Sequence, residues 1–348
     1  MKFKYSVILV MLLLAVLAVG SVSATEDIAI DDVSDVDLEI DDQTSDVPDE
    51  NLRTTYTEMT ITKNSNFTDI NKKIANRTYT GYQFNFENDT YENFSMVTGD
   101  NNKFVGNGAR LVGSTDNLFT ITGSSGIVIT GFNMNINNST KAAIYGSGVE
   151  NVEITNNVIY GGKDGINIFK TYENVTITGN TISGVTRDAI SLVNHKTFSD
   201  SEWSNWPSSV VSNNNITGGQ YAMFFGGNFK GTISGNTITN SDYGMQFAGK
   251  KNETNGKLYA NIYGNTMTGV QTGIDMNHPS VVYLNMYLNN IVTANPTVNY
   301  AISCNSYFIN GTHSQMYVFL NNLNGLVKQS FISKCTLFYL NTNYIIVP

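Results

Sequence analysis

The sequence predicts an all-β chain, folded as a right-handed, single-stranded parallel β-helix of about ten coils with a short N-terminal cap helix. Three observations lead there. A strand-turn-strand unit recurs, as in Val152-Glu153-Ile154-Thr155-Asn156-Asn157-Val158-Ile159 and Val175-Thr176-Ile177-Thr178-Gly179-Asn180-Thr181-Ile182. Further copies read Ile233-Ser234-Gly235-Asn236-Thr237-Ile238 and Ile262-Tyr263-Gly264-Asn265-Thr266-Met267, with looser ones centred on Asn107, Phe132, Asn214, Asn289, Asn321 and Asn341. The repeat is near 22 residues with variable excess, which is how a solenoid with loop insertions behaves. Composition agrees: 47 Asn and 30 Gly against 5 Pro in 348 residues demand many tight turns.

Each unit has one grammar. An alternating strand ends in a Gly-Asn or Asn-Asn pair, the residue types that tolerate positive φ, and a second short strand follows. After a Gly-rich turn comes a third strand, seen as Gly165-Ile166-Asn167-Ile168, Ala189-Ile190-Ser191-Leu192 and Gly273-Ile274-Asp275-Met276. Each strand then pairs with its counterpart in the next coil, about 4.8 Å away. The anchor asparagines stack, and their amides can form a buried hydrogen-bonded ladder. That makes them structural.

The ends of such a stack need covering. Residues Ser65 to Ala75 put Phe67, Ile70 and Ile74 on one helical face, with Ser65 able to cap the start, so a cap helix is expected before the first coil. The last partial coil, Tyr339 to Pro348, carries Tyr344-Ile345-Ile346-Val347 with no polar cap after it. Two expectations stand for that C-terminal edge: association with a partner, or a sequence that is a fragment.

The chain divides into three parts. Residues 1–24 join Lys2 and Lys4 to an apolar run of about 14 residues ending in Val22-Ser23-Ala24, the pattern of a cleaved signal peptide. Residues 25–50 hold twelve Asp or Glu and no Lys or Arg, which reads as a disordered acidic linker. Residues 51–348 are the β-helix domain. Twelve of the 29 acids lie in the linker and two of the 20 bases in the signal, leaving 17 acids against 18 bases in the body. The net charge of −9 thus belongs to the linker, and no nucleic-acid partner is expected of the folded part. No second apolar run is long enough to span a membrane, so the mature chain is expected to be secreted or at the cell surface. Ten Asn-x-Ser/Thr sequons, from Asn66 to Asn310, mark it as a candidate glycoprotein.

This repeat resembles the pectate-lyase-like right-handed β-helix superfamily, in particular NosD-like and surface adhesin-like proteins, over about Thr54 to Pro348. The resemblance implies the fold. Its functions range over lyases, hydrolases, epimerases and non-catalytic surface proteins, so the site must be argued from residues.

Stacking turns residues one coil apart into neighbours, so chemistry should appear as columns. The best column precedes the third strand: Lys163-Asp164, Arg187-Asp188, Gln220-Tyr221 and Asp242-Tyr243. Asp164 and Asp188 at one coil rise suit a retaining glycosidase, a Ca²⁺ site, or a salt bridge through Arg187. The competing explanation is turn chemistry, since Asp before Gly or Ala often satisfies local N–H groups. Superfamily lyases pair calcium-binding carboxylates with a basic residue that abstracts a proton. Only under that alternative is Ca²⁺ expected here; otherwise no cofactor and no metal is.

Extra residues fall after the third strand, at Asn194 to Ser209, Ala248 to Lys257 and Cys304 to Ser314. The first insertion holds His195, Trp203 and Trp206, and with Tyr221 and Tyr243 these side chains are expected to offer an aromatic surface to sugar rings. The competing reading folds the indoles down to fasten their own loop. Cys304 and Cys335 sit 15 and 14 residues after Asn289 and Asn321, so they are expected in one column, within reach of a disulfide.

The leading expectation is an exported adhesin-like β-helix that binds glycan or cell-wall polysaccharide without catalysis. The alternatives are a polysaccharide lyase or glycoside hydrolase using Asp164, Asp188 and Arg187, and a purely structural surface rod.

Overall fold

The computed structural model describes residues 55–348, apart from 114, 138–139, 197–198, 250–256, 278–280, 305–313, 330–334, 341–344 and 348. The expected signal peptide and acidic linker lie outside the described residues. So do several sequons, including Asn138, Asn252 and Asn310.

From residue 57 onward the chain is a parallel β-solenoid in which each coil contributes three strands. Alternation is what builds them. In the run 175–178 the side chains of Val175 and Ile177 point inward with no exposure, while Thr176 and Thr178 face out. The second strand is shorter and buries one or two residues per coil, as Ile182 is buried within Thr181–Ser183. The third starts after a Gly-rich turn, as in Asp188–Asn194.

Among the described residues the second strands form one ten-stranded sheet. The first and third strands are joined into a single 21-stranded assembly, because Ala142–Thr155 and Asp164–Thr178 each run through the corner from a third strand into the next first strand. A register shift between Ser147 and Val149, at Gly148 with φ +66°, turns the chain there. Among the described residues every strand pairing is parallel. Inward aliphatic columns fill the interior, with aromatic stacks among them, such as Phe84 on Phe104 at 5.0 Å and Phe225 on Phe247 at 4.9 Å.

The asparagine ladder is present and complete over six coil interfaces. Asn157, Asn180, Asn214, Asn236, Asn265, Asn289 and Asn321 are at most 4% exposed. Each of the first six donates its side-chain amide to the next residue's Oδ1, at 2.9 to 3.1 Å. Its backbone N–H reaches the same oxygen, and its second amide hydrogen goes to a main-chain carbonyl of the preceding coil, as from Asn214 to Ile177 O at 2.9 Å. The residue before each ladder position has positive φ. It is Asn or Gly up to Gly264 and then Leu288 (φ +55°) and Leu320 (φ +53°).

Two expectations at the N-terminal end are corrected. Asn107 is not a rung. It is exposed at φ +51°, and buried Ala109 occupies the rung position, because its neighbour Arg110 pairs with Asn133. The ladder instead starts at Phe132, whose backbone N–H donates to Asn157 Oδ1 at 3.1 Å. Helix α1 spans Phe67–Ala75, and its N-cap is Asn66, which accepts from Asp69 N at 3.1 Å, not Ser65. The Ser65 hydroxyl accepts from Thr62 N instead. Ile70 and Ile74 are buried as expected, and Phe67 packs on Phe94 at 5.3 Å. A strand, Thr57–Ile61, precedes α1 and pairs with Tyr82–Phe86, so the first coil begins before the helix.

At the other end, Ile345–Val347 pairs with Leu326–Gln329 as the last third strand. Its side chains, on which the expected association depends, lie outside the described residues.

Candidate functional site

Asp164 and Asp188 are each the first residue of a third strand, and Ile166 pairs with Ile190, which sets the two aspartates in the same column of adjacent coils. The residue before Asp188, Arg187, is still in the turn, so its side chain lies along the strand heads. It binds both carboxylates. Arg187 Nε and Nη2 donate to Asp164 Oδ1 and Oδ2 at 2.9 and 2.7 Å, a bidentate pair, while Nε also lies 3.2 Å from Asp188 Oδ2. Asn167 donates to Asp164 Oδ2 at 2.9 Å. Because one nitrogen reaches an oxygen of each acid, those two oxygens lie no more than about 6 Å apart, within reach of the spacing of a retaining carboxyl pair.

Both carboxylates are 4% exposed, and the two are not equivalent. Burial raises Asp188 to about 6; the Asp164 charge adds to this, while Arg187, a hydrogen bond from Ser191 and Lys163 oppose it. Near neutral pH this site therefore holds a carboxyl that can carry a proton beside one engaged as the anion of an ion pair.

The column continues with Tyr221, paired with Asp188, and Tyr243, paired with Tyr221. Their rings stack at 5.0 Å and 25°. Burial, then Tyr243, Asp188, Asp275 and Asp242, raise the Tyr221 phenol above its ordinary value, so this ring lies within the field of several acids. Of the expected ligand-binding residues, Tyr221 and Tyr243 thus belong with the aspartates.

The rest do not. His195 follows the opposite end of the strand, its ring edge-on to Phe169 at 5.6 Å and its backbone N–H donating to Lys170 O. Trp203 and Trp206 are 7% exposed, and the expected indole surface is corrected: they pack on each other at 6.2 Å, and Trp203 packs on Tyr259 at 5.9 Å. Helix α2, Asp200–Asn205, carries a Ser199/Glu202 capping box. Lys230 donates to the Trp203, Ser204 and Trp206 carbonyls, tying the loop to the first-strand face. The loop is fastened by its tryptophans.

Register aligns Cys304 with Gln329 and Cys335 with Ser314, not with each other as the spacing predicted. The side chains of both cysteines lie outside the described residues.

Three site residues were missed: Asn167, Ser191 and Asp275, all at the outward position three after the strand head. Asp275 is 6% exposed and accepts from Gln246 at 2.8 Å. The signal was there, since each is the polar residue between two inward aliphatics. Among the described residues no group of three or more His, Cys, Asp or Glu is gathered as a metal site. At the aspartate pair the intervening cation is a guanidinium, and two carboxylates so engaged do not offer the six to eight oxygens that Ca²⁺ takes.

Residues 90–267 match the family described as the right handed beta helix region. No curated protein sequence matches significantly. Among solved structures, the chain is similar to a hyperthermoactive exopolygalacturonase from Thermotoga maritima, with a TM-score of 0.51 and 9% identity over 84% of this chain and 92% of that one. An alginate lyase from Paenibacillus sp. str. FPU-7 gives 0.38 and 12% over 72% and 98%. Endopolygalacturonase I from Stereum purpureum gives 0.34 and 14% over 83% and 98%.

Proposed function

The chain belongs to the right-handed β-helix family, and from that premise we propose that it is an exported glycoside hydrolase acting on polysaccharide at the Asp164–Arg187–Asp188 site. The observation that carries this reading is the buried Asp188 carboxyl, raised to about 6 beside an ion-paired Asp164. In the reaction, protonated Asp188 donates to the glycosidic oxygen as the C–O bond breaks. Asp164 attacks the anomeric carbon, giving a glycosyl ester. Water then adds to that carbon as Asp188 takes back its proton, and the ester bond to Asp164 breaks. Arg187 positions both carboxyls, and Tyr221 and Tyr243 extend the binding surface.

A lyase needs a base that removes a ring proton. Arg187 is committed to both carboxylates, which favours hydrolysis. The adhesin-like reading rested on the two indoles and loses that support with their burial. One solved structure of similar fold is, by name, an exopolygalacturonase, which is consistent with the proposal. Export rests on residues 1–24 and on the sequence alone.

The test is release of reducing ends by the full chain from polygalacturonate, alginate, xylan, mannan and cellulose. Turnover is expected on at least one, with Asp188→Asn lowering it about 10²- to 10⁴-fold while circular dichroism stays unchanged. No release from any substrate, or full activity in Asp188→Asn, rejects the proposal.

A further inference from the structure

The second-strand sheet has an outward face that takes no part in the aspartate site. Its strands stay in register from Val158–Gly161 to Thr237–Thr239, and on to Thr268 of Thr266–Val270, without a bulge. One outward row reads Thr181, Asn215, Thr237, Thr266. Two positions further along each strand a second row holds only Ser or Thr. The aliphatic residue between the rows, Ile182 or its equivalent, points into the core, so the rows are held from beneath by packed side chains.

This array has a fixed lattice. Neighbours along the coil axis are about 4.8 Å apart, and the two rows about 6.6 Å apart. Adjacent hydroxyls bond to each other, as Thr217 Oγ1 does to Thr239 Oγ1 at 3.0 Å, which holds their rotamers. The pattern is extended by amides, where Asn322 donates to Asn290 at 2.8 Å.

Charge is the second observation. From the coil of Asn133 to that of Asn322, every outward position of this sheet is Asn, Ser, Thr, Val or Tyr, and none is charged. Around the aspartates, by contrast, Asp164, Asp188, Asp242 and Asp275 outnumber Arg187 and Lys163. An uncharged face with repeating donors and acceptors complements an uncharged partner with its own repeat. Pyranose rings of an extended 1,4-linked chain recur at nearly the strand spacing and present hydroxyls along both edges.

We propose that this face is a second glycan site, binding the ordered surface of a neutral, fibrous polysaccharide. It differs from the aspartate site in location and chemistry and does not depend on catalysis there. Many weak contacts acting together would give it affinity for an insoluble polymer over a soluble oligomer.

The test is co-sedimentation of the full chain with microcrystalline cellulose and with α-chitin. Most of the protein is expected to pellet with at least one of them. The double variant Thr217→Lys, Thr239→Lys is expected to bind at least tenfold more weakly, because two solvated ammonium groups then stand off the surface. If that variant fails to fold by circular dichroism, Thr237→Lys, Thr268→Lys serves in its place. Asp188→Asn is expected to pellet like wild type, which separates this site from the hydrolase reading. The proposal is overturned if neither polymer is bound, if lysines on the face change nothing, or if Asp188→Asn abolishes binding. Thermal hysteresis without polymer binding would reassign the lattice to ice and also overturn it.

Discussion

The ladder corner and the head of the third strand are two places where coil stacking buries polar side chains in register, and they use that burial in opposite ways. In the ladder, Asn214 gives one amide hydrogen to Asn236, the other to Ile177 O, and its Oδ1 accepts from Asn180. Every hydrogen-bonding group is neutral and engaged, so the network is inert. At the aspartates, one guanidinium serves two carboxyls, and the balance fails for Asp188, which is left with a carboxyl that changes protonation near pH 6. The difference teaches that burial alone does not mark function. A buried polar group whose partners are one charge short does.

The largest expected effect breaks the ladder. Asn214→Ala removes the acceptor shared by the Asn180 backbone N–H and one of its amide hydrogens, together with the amide donor to Ile177 O, and is expected to cost about 3–5 kcal/mol, read as a lowered urea midpoint. A loss below about 1 kcal/mol would mean that the rungs are not individually supportive. Turnover, where measurable, should persist in any fraction that remains folded.

A smaller effect separates the carboxyl pair from the ladder by its pH dependence. Asp188 is raised in the folded state, so its contribution is fully present below the unfolded value of 3.8 and lost as pH rises through about 6. Relative to Asp188→Asn, wild type should therefore lose about 2 kcal/mol between pH 4 and pH 7 in urea unfolding. A constant difference across that range would show that Asp188 titrates normally and would remove the basis of its acid role.

The smallest effect refines the ladder corner. Leu288 and Leu320 occupy the positive-φ position that Gly or Asn holds at the other rungs, and Leu288 is 58% exposed. Replacing Leu288 by Gly removes backbone strain and no core contact. A gain of about 0.5–1 kcal/mol is expected, and a loss would show that the leucine side chain contributes packing there.

How much could be read beforehand follows the same division. Gly179-Asn180 and Gly235-Asn236 announce both the turn and the rung, because few other residues suit the backbone there. The aspartate column was legible once coils were stacked, since Asp164 and Asp188 share a place in the repeat. Asn107 misled because its coil places a different residue, Ala109, at the rung, which residue type does not reveal. The cysteine alignment failed for the same reason: spacing from an anchor ignores how many residues each loop consumes. Burial of Trp203 and Trp206 depends on Lys230 and Tyr259, contributed by later coils, and no local pattern encodes such contacts. Asp275 and Ser191 were visible as polar residues within strands, but their relation to Asp188 exists only after register is set.

From Asn157 to Asn321 each rung of the ladder donates in the same direction to the asparagine of the next coil. Removing or duplicating one whole coil would rejoin an asparagine to an asparagine and leave the hydrogen-bond chain continuous. The number of coils is therefore a quantity that can change by recombination within a gene without a new fold being needed. Lengthening the stack would widen the hydroxyl lattice in proportion, while the single aspartate pair would stay where it is.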